Sequence, residues 1–333
     1  MGTVYRAEPL AGGEAVALKI VSLTGAGDSR AVRRFEREAA SGARIGSPYV
    51  ARTLDSGRVG ERWGWLAMEY AEGVSLDELG PAGATPRIEP RAARRLLSQL
   101  FSALSAAHRE GIVHRDLKPE NLRVARGGDA LELKVLDFGI AKDLSVSTLS
   151  GTTPGLGTPL WAAPEQGHQG YRPSPRADVW SLGLLTFFVL TGHVYWQNAH
   201  ERASMADLAI ELVQDELAPA GERCHQLGLE VTLPPGFDAW FNRTVNRDAK
   251  ERFPDAAEAW RALEPLLDAA AAGVAPAAVP VAAAARAAEQ AARGERERDR
   301  AGAVRPGGFL TAVIAGVITM GLAIYWLLRS MHI

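Results

Sequence analysis

The 333-residue chain has a single cysteine, Cys224, so no disulfide can form within it. That economy fits a reducing compartment. One cysteine with dispersed histidines, such as His193 and His225, supplies neither the ligand count nor the spacing of a zinc site. The formal charge is only −2, which gives no electrostatic case for nucleic acid as a partner. There is no internal repeat and no amino-terminal signal segment. Long hydrophobic runs are few: the most continuous, the twenty uncharged residues from Phe309 to Leu328, stands near the end.

What is present is concentrated. His114-Arg115-Asp116-Leu117-Lys118-Pro119-Glu120-Asn121 is followed by Asp137-Phe138-Gly139. Together these supply a proton acceptor, a cation for phosphoryl oxygens and two oxygen ligands for a metal. Asp116 is suited to orient a hydroxyl and take its proton. Lys118, two residues on and pointing the same way in an extended loop, can offset charge on a transferring phosphoryl group. Asn121 and Asp137 offer hard oxygen donors of the kind that Mg2+ prefers. The set implies transfer of a phosphoryl group from ATP to a hydroxyl. Any one of these residues alone would read as a solvated loop former.

Upstream, Val16-Ala17-Leu18-Lys19-Ile20 reads as a strand with one lysine embedded in it. Arg30 to Ile45 has helical spacing at Val32, Phe35, Ala39 and Ala43, and presents Glu36 and Glu38. Pro90 to Glu110 is another predicted helix, with Leu96, Leu97, Leu100, Phe101, Leu104 and Ala107 on a buried stripe that leads into the His114 motif. Asp178 heads a strongly apolar helix that runs to Leu190.

In these motifs, from about residue 2 to about residue 266, the chain resembles a bacterial, eukaryotic-like (Hanks-type) Ser/Thr protein kinase. The resemblance implies an α+β, two-lobed fold with a small β-rich N-lobe (1–72) and a helical C-lobe (73–267). It makes Lys19 the ligand of the α- and β-phosphates and Glu38, rather than Glu36, its ion-pair partner. Ala17 then covers the adenine, Met68 is the gatekeeper behind it, and Glu69 to Ala71 form the hinge that reads its edge. Only Gly2-Thr3-Val4-Tyr5-Arg6-Ala7 matches the Gly-rich loop, with Gly2 as its last glycine and Val4 following. The expectation is therefore a truncated loop and an N-lobe that lacks its first strand. Arg123 stands where an apolar residue usually lies under the adenine.

The same resemblance makes Arg115 the binding partner of a phosphate placed on the segment from Asp143 to Thr158, with Thr148, Thr152 and Thr153 as candidate sites. Thr158 is set apart as a residue of the substrate channel. Glu165 is expected to pair with Arg252, and Asp178 to accept backbone N–H bonds from the loop around Asp116. The implied cofactors are ATP and Mg2+, with Mn2+ as a substitute. The implied partners are cytoplasmic protein substrates, including the kinase itself in trans. A homodimer has only weak support, from Ala312 and Gly316 at small-xxx-small spacing. The rival reading is a membrane-tethered pseudokinase, a nucleotide-sensing or docking module without transfer activity.

Residues 268–307 are rich in alanine and then in charge, and read as a linker. At 1.5 Å per residue, the twenty apolar residues of Phe309 to Leu328 would span about 30 Å, the hydrocarbon thickness of a bilayer. A single transmembrane helix over 308–328 with an external tail at 329–333 is the expectation. Arg293, Arg296, Arg298, Arg300 and Arg305 precede it and only Arg329 comes after, which would hold the catalytic domain on the cytoplasmic side of a bacterial membrane.

Overall fold

A computed structural model describes residues 3–271 apart from 10–11, 24–34, 37–38, 40–41, 61, 80–87, 128–129, 139–159, 169 and 200–204. The chain divides into two compact units, Met1–Pro276 and Ala277–Ile333. The second lies outside the described residues; the first carries both lobes of the fold.

The N-lobe is built on a four-stranded antiparallel sheet. Its strands are β1 (Thr3–Ala7), β2 (Val16–Ser22), β3 (Thr53–Val59) and β4 (Trp63–Glu69), in the order β1-β2-β4-β3. Side chains alternate across a pleated strand. The register Ala17↔Met68, Lys19↔Leu66 and Val21↔Gly64 therefore puts Ala17, Lys19 and Met68 on one face. That face carries a small core of Val21, Leu23, Phe35, Ala39, Leu66 and Met68, with Ala17 packed against it. Phe35 and Ala39, four apart and both helical, supply the apolar side of the segment facing the sheet.

The C-lobe is helical. Helix α1 (Pro90–Arg109) buries Leu96, Leu97, Leu100, Phe101, Leu104 and Ala107, the stripe its sequence periodicity predicts. Helix α2 (Pro175–Thr191) is apolar on all sides and is buried accordingly. Helices α3 (Met205–Val213) and α4 (Ala220–Gln226) add Leu208, Ala220 and Cys224 to the same core, and α5 (Phe237–Thr244) and α6 (Ala256–Ala271) pack against α2. A second sheet of β5 (Val74–Ser75), β6 (Leu122–Gly127) and β7 (Ala130–Val135) brackets the segment that runs from α1 to Asp137.

Two expectations are corrected. The N-lobe was expected to lack its first strand and to carry a truncated loop. Neither expectation has support in the described fold: Thr3–Ala7, the strand that directly follows Gly2, pairs along all five residues with β2, from Thr3↔Ile20 to Ala7↔Val16, and forms a regular edge of the described sheet. Gly2 lies outside the described residues. The other correction concerns the membrane. Among the described residues no helix is long and apolar enough to cross a bilayer. The long apolar helix α2 lies within the C-lobe core with the charged Asp178 in its first turn. The Phe309–Leu328 segment lies outside the described residues. The expected transmembrane helix, the bilayer as partner and a place in the cytoplasmic membrane have no support among the described residues.

Candidate active site

The segment from His114 to Asn121 leaves α1 through a turn at Gly111 and ends in a short 3-10 helix, Pro119–Asn121, whose first residue is a proline suited to that place. Within it, Arg115 has φ +66°, and Asp137 at the end of the second sheet has φ +52°. Neither is a glycine, so each left-handed residue costs on the order of 1 kcal/mol or more and has to be held by its surroundings.

For Arg115 the restraints are visible. The fully buried carboxylate of Asp178 accepts the N–H of Arg115 at 2.9 Å and that of His114 at 2.7 Å. On its other side Asp178 Oδ2 lies 3.0 Å from His108 Nε2, while His108 Nδ1 accepts the Ala256 N–H at 3.2 Å. The second contact leaves the His108 proton on Nε2, where it donates to Asp178. Burial works against the Asp178 charge, but the hydrogen bonds from His108 and the His114 backbone overcome it and hold the carboxyl below its usual range.

His114 ties this loop to the Asp137 segment. Its Nδ1 accepts the Asp116 N–H at 3.3 Å, and its Nε2–H donates to the Leu136 carbonyl at 2.8 Å. The ring is fully buried, and burial pushes its pKa down, so the neutral tautomer that both contacts require is the favoured one. It also packs 4.7 Å from the Phe138 ring, centroid to centroid.

The reactive groups gather in front of this frame. Asn121 Nδ2 donates to the Asp116 carbonyl at 2.6 Å and lies 3.3 Å from Asp116 Oδ2. Lys118 Nζ is 3.7 Å from the same carboxylate oxygen. Across the lobes, the buried Lys19 places Nζ 2.8 Å from Asp137 Oδ1. Lys19 thus has an acidic partner other than the one expected of it; Glu38 lies outside the described residues, and the described Glu36 is exposed. With its Nδ2 committed to Asp116, Asn121 keeps Oδ1 as the atom to offer a cation. Asn121 Oδ1 and the Asp137 carboxylate make an all-oxygen donor set, which fits Mg2+.

Around the nucleotide position, Met68 is buried beside Ala17, and Val4 lies opposite Lys19 in the β1–β2 register. Glu69 ends β4, where Lys134 Nζ meets its Oε1 at 2.6 Å and its Oε2 is 3.4 Å from Arg52 Nε. Burial raises its pKa, but the bonds from Lys134 and Arg52 outweigh burial and hold it low. Ala71 is partly exposed just beyond. Arg123 turns its guanidinium away to donate to the Gly73 carbonyl. Gly73 has φ +94°, and a Cβ there would overlap the Val124 carbonyl, so the chain comes this close to β6 only with glycine.

The segment's C-terminal anchor is a 3-10 turn, Pro164–Gly167. Arg252 grips Glu165 through two bonds of 2.7 and 2.8 Å, as the sequence leads one to expect. The next residue, Gln166, was not anticipated: its Nε2 donates to the Arg115 carbonyl at 2.8 Å. His108 was likewise missed as a partner of Asp178. No spacing signal marks either residue, because their partners are 51 and 70 residues away in the chain. Thr148, Thr152, Thr153 and Thr158 lie outside the described residues.

Comparison with known proteins agrees with this geometry. The protein kinase domain family model matches residues 1–253. The chain is 33% identical over 258 residues to the serine/threonine-protein kinase PknL of Mycobacterium tuberculosis, covering 76% of this chain and 59% of that protein. It is 34% identical over 223 residues to PrkC of Bacillus subtilis, covering 67% of this chain and 33% of that protein. The Myxococcus xanthus kinase pkn3 is 34% identical, with 79% and 47% covered. The chain thus spans well under two thirds of the length of these relatives. The crystal structure of the Mycobacterium tuberculosis PknI kinase domain superposes with a TM-score of 0.57 at 22% identity, over 80% of this chain and 91% of that one, which shows the shared fold.

Proposed function

The chain belongs to the protein kinase domain family, and on that footing we propose that it is a Ser/Thr protein kinase, transferring the γ-phosphate of ATP to Ser and Thr hydroxyls of proteins. The family as a whole uses ATP with Mg2+. What supports the reading is the convergence of Lys19, Asp116, Lys118, Asn121 and Asp137 on one locus, with Lys19 against Asp137 and both Lys118 and Asn121 against Asp116.

In this reading Asp116 orients the acceptor hydroxyl and takes its proton as the oxygen gains its bond to the γ-phosphorus, whose bond to the β,γ-bridging oxygen breaks and releases ADP. Lys118 offsets the charge that develops on the phosphoryl oxygens, and its presence beside Asp116 favours Ser and Thr as acceptors. Asn121 and Asp137 would hold Mg2+, or with similar donors Mn2+, which when bound supplies positive charge to offset that of the phosphates. Lys19, released from Asp137 or shared with it, binds the α- and β-phosphates, and Glu38 completes its ion pairing. Ala17, Met68 and the hinge from Glu69 to Ala71 enclose the adenine, with Gly2 and Val4 over the phosphates. The acceptors are protein substrates, with the kinase itself in trans among them.

The test is Mg2+-dependent transfer of labelled γ-phosphate to a generic Ser/Thr protein. The expected result is transfer by the native chain that falls by about 10²-fold or more in Asp116→Asn. Nucleotide binding without transfer, or transfer unchanged by the substitution, overturns the reading. The former outcome would support the binding-module alternative.

A further inference from the structure

The peptide unit joining Arg115 to Asp116 is held at both polar ends. Its N–H, on Asp116, donates to His114 Nδ1 at 3.3 Å, and its carbonyl, on Arg115, accepts Gln166 Nε2 at 2.8 Å. This unit comes directly after the left-handed φ of Arg115 and carries the Cα of Asp116, so rotation of its plane would swing the Asp116 carboxylate. One of the two restraints comes from within the loop. The other comes from the turn that closes the segment between the Asp137 motif and α2.

We propose that Gln166 is a positioning residue for Asp116, and that through it the Glu165 anchor is coupled to the placement of the proton-accepting carboxylate. The proposal rests on the kinase reading. The orientation of the side-chain amide is settled by its second contact: Gln166 Oε1 accepts the Ala163 N–H at 2.9 Å, which leaves Nε2 to donate toward Arg115. The Gln166 N–H also closes the turn onto the Ala163 carbonyl at 3.0 Å. The turn is itself immobilised by the two Glu165–Arg252 bonds, with the Arg252 side chain wholly buried. Gln166 is thereby a short rigid bridge with one end on a fixed anchor and the other on the peptide that sets Asp116. A glutamine does this better than its neighbours in chemistry. Glutamate keeps the acceptor for Ala163 but faces the Arg115 carbonyl with another oxygen. Lysine keeps a donor for Arg115 but cannot accept from Ala163.

That contrast supplies the experiment. Gln166→Glu and Gln166→Lys are compared with the native full chain for kcat and KM with a Ser/Thr peptide, for the Kd of Mg·ATP from a fluorescent nucleotide, and for thermal midpoint. Misplacing a reacting group by as little as about 1 Å can cost roughly 10²-fold. Gln166→Glu is expected to lower kcat by about tenfold or more with the nucleotide Kd within about twofold, and Gln166→Lys to retain most of kcat. A role confined to holding the turn would put the two variants in step with their thermal midpoints and disturb KM and Kd together, which overturns the proposal. So does a Gln166→Glu kcat equal to the native value. If the native chain itself transfers no phosphate, the kinase reading falls and this inference falls with it; native activity with indifferent variants sinks this inference alone.

Discussion

Asp178 accepts the backbone N–H of Arg115 at 2.9 Å, and Arg115 is one of two described non-glycine residues with a left-handed backbone. A fixed anion from the buried helix α2 thus offsets the strain of the residue that precedes the proposed proton acceptor. The same carboxylate takes the His114 N–H and the His108 Nε2–H, so three donors depend on it.

Removing it should show in stability as well as in rate. Asp178→Ala leaves the two backbone N–H groups and His108 without their acceptor in a buried site. The expected cost is about 3 kcal/mol or more by urea denaturation, together with a loss of phosphoryl transfer. A variant with native stability would mean that water replaces the carboxylate at little cost and that the strain is held by other contacts.

His114 predicts a pH dependence. Burial lowers its folded pKa below the ordinary value of 6.5. Between the two values the unfolded chain binds more protons than the folded one, so stability is full above about pH 6.5 and declines as pH falls through that window toward the folded value. His114→Gln, whose amide can still donate to Leu136 O, should flatten this part of the profile. Urea midpoints at about pH 7.5 and about pH 5.5 read the difference. An equal acid-side slope in both proteins would assign it to another group.

Glu165 and Arg252 form an ion pair in which the arginine side chain is 0% exposed and the glutamate 21%. Arg252 also donates to the carbonyls of Asn246 and Arg176 and lies 4.9 Å from the Trp180 ring centroid. Glu165→Gln strands a buried cation and should cost about 3 kcal/mol. The Glu165→Leu/Arg252→Met pair should cost less than the sum of its two single substitutions, because no unpaired charge remains. A double-mutant cycle by denaturant unfolding measures the coupling, and strict additivity would show that the two side chains do not depend on each other.

The sequence by itself determined the family and marked out the candidate site residues, because the motifs are contiguous: the His114-to-Asn121 run, the Asp137-Phe138-Gly139 turn and the lysine in the Val16-to-Ile20 strand each need only local backbone order to be recognised. The stripe of α1 and the Glu165–Arg252 pair were legible too, one from periodicity and the other from the family pattern. Hydropathy and an incomplete glycine pattern went further than the fold supports: the membrane span expected over 308–328 and the truncated loop with its missing first strand find no support among the described residues. Tertiary structure alone decided that Lys19 faces Asp137, that Arg123 turns to the Gly73 carbonyl, that Asp178 serves His108 as well as the loop, and that Gln166 reaches the Arg115 carbonyl. These contacts join residues 50 to 118 positions apart in the chain. Their distances are fixed by how α1, α2, the sheets and the Glu165 turn pack, and no local spacing in the chain encodes that.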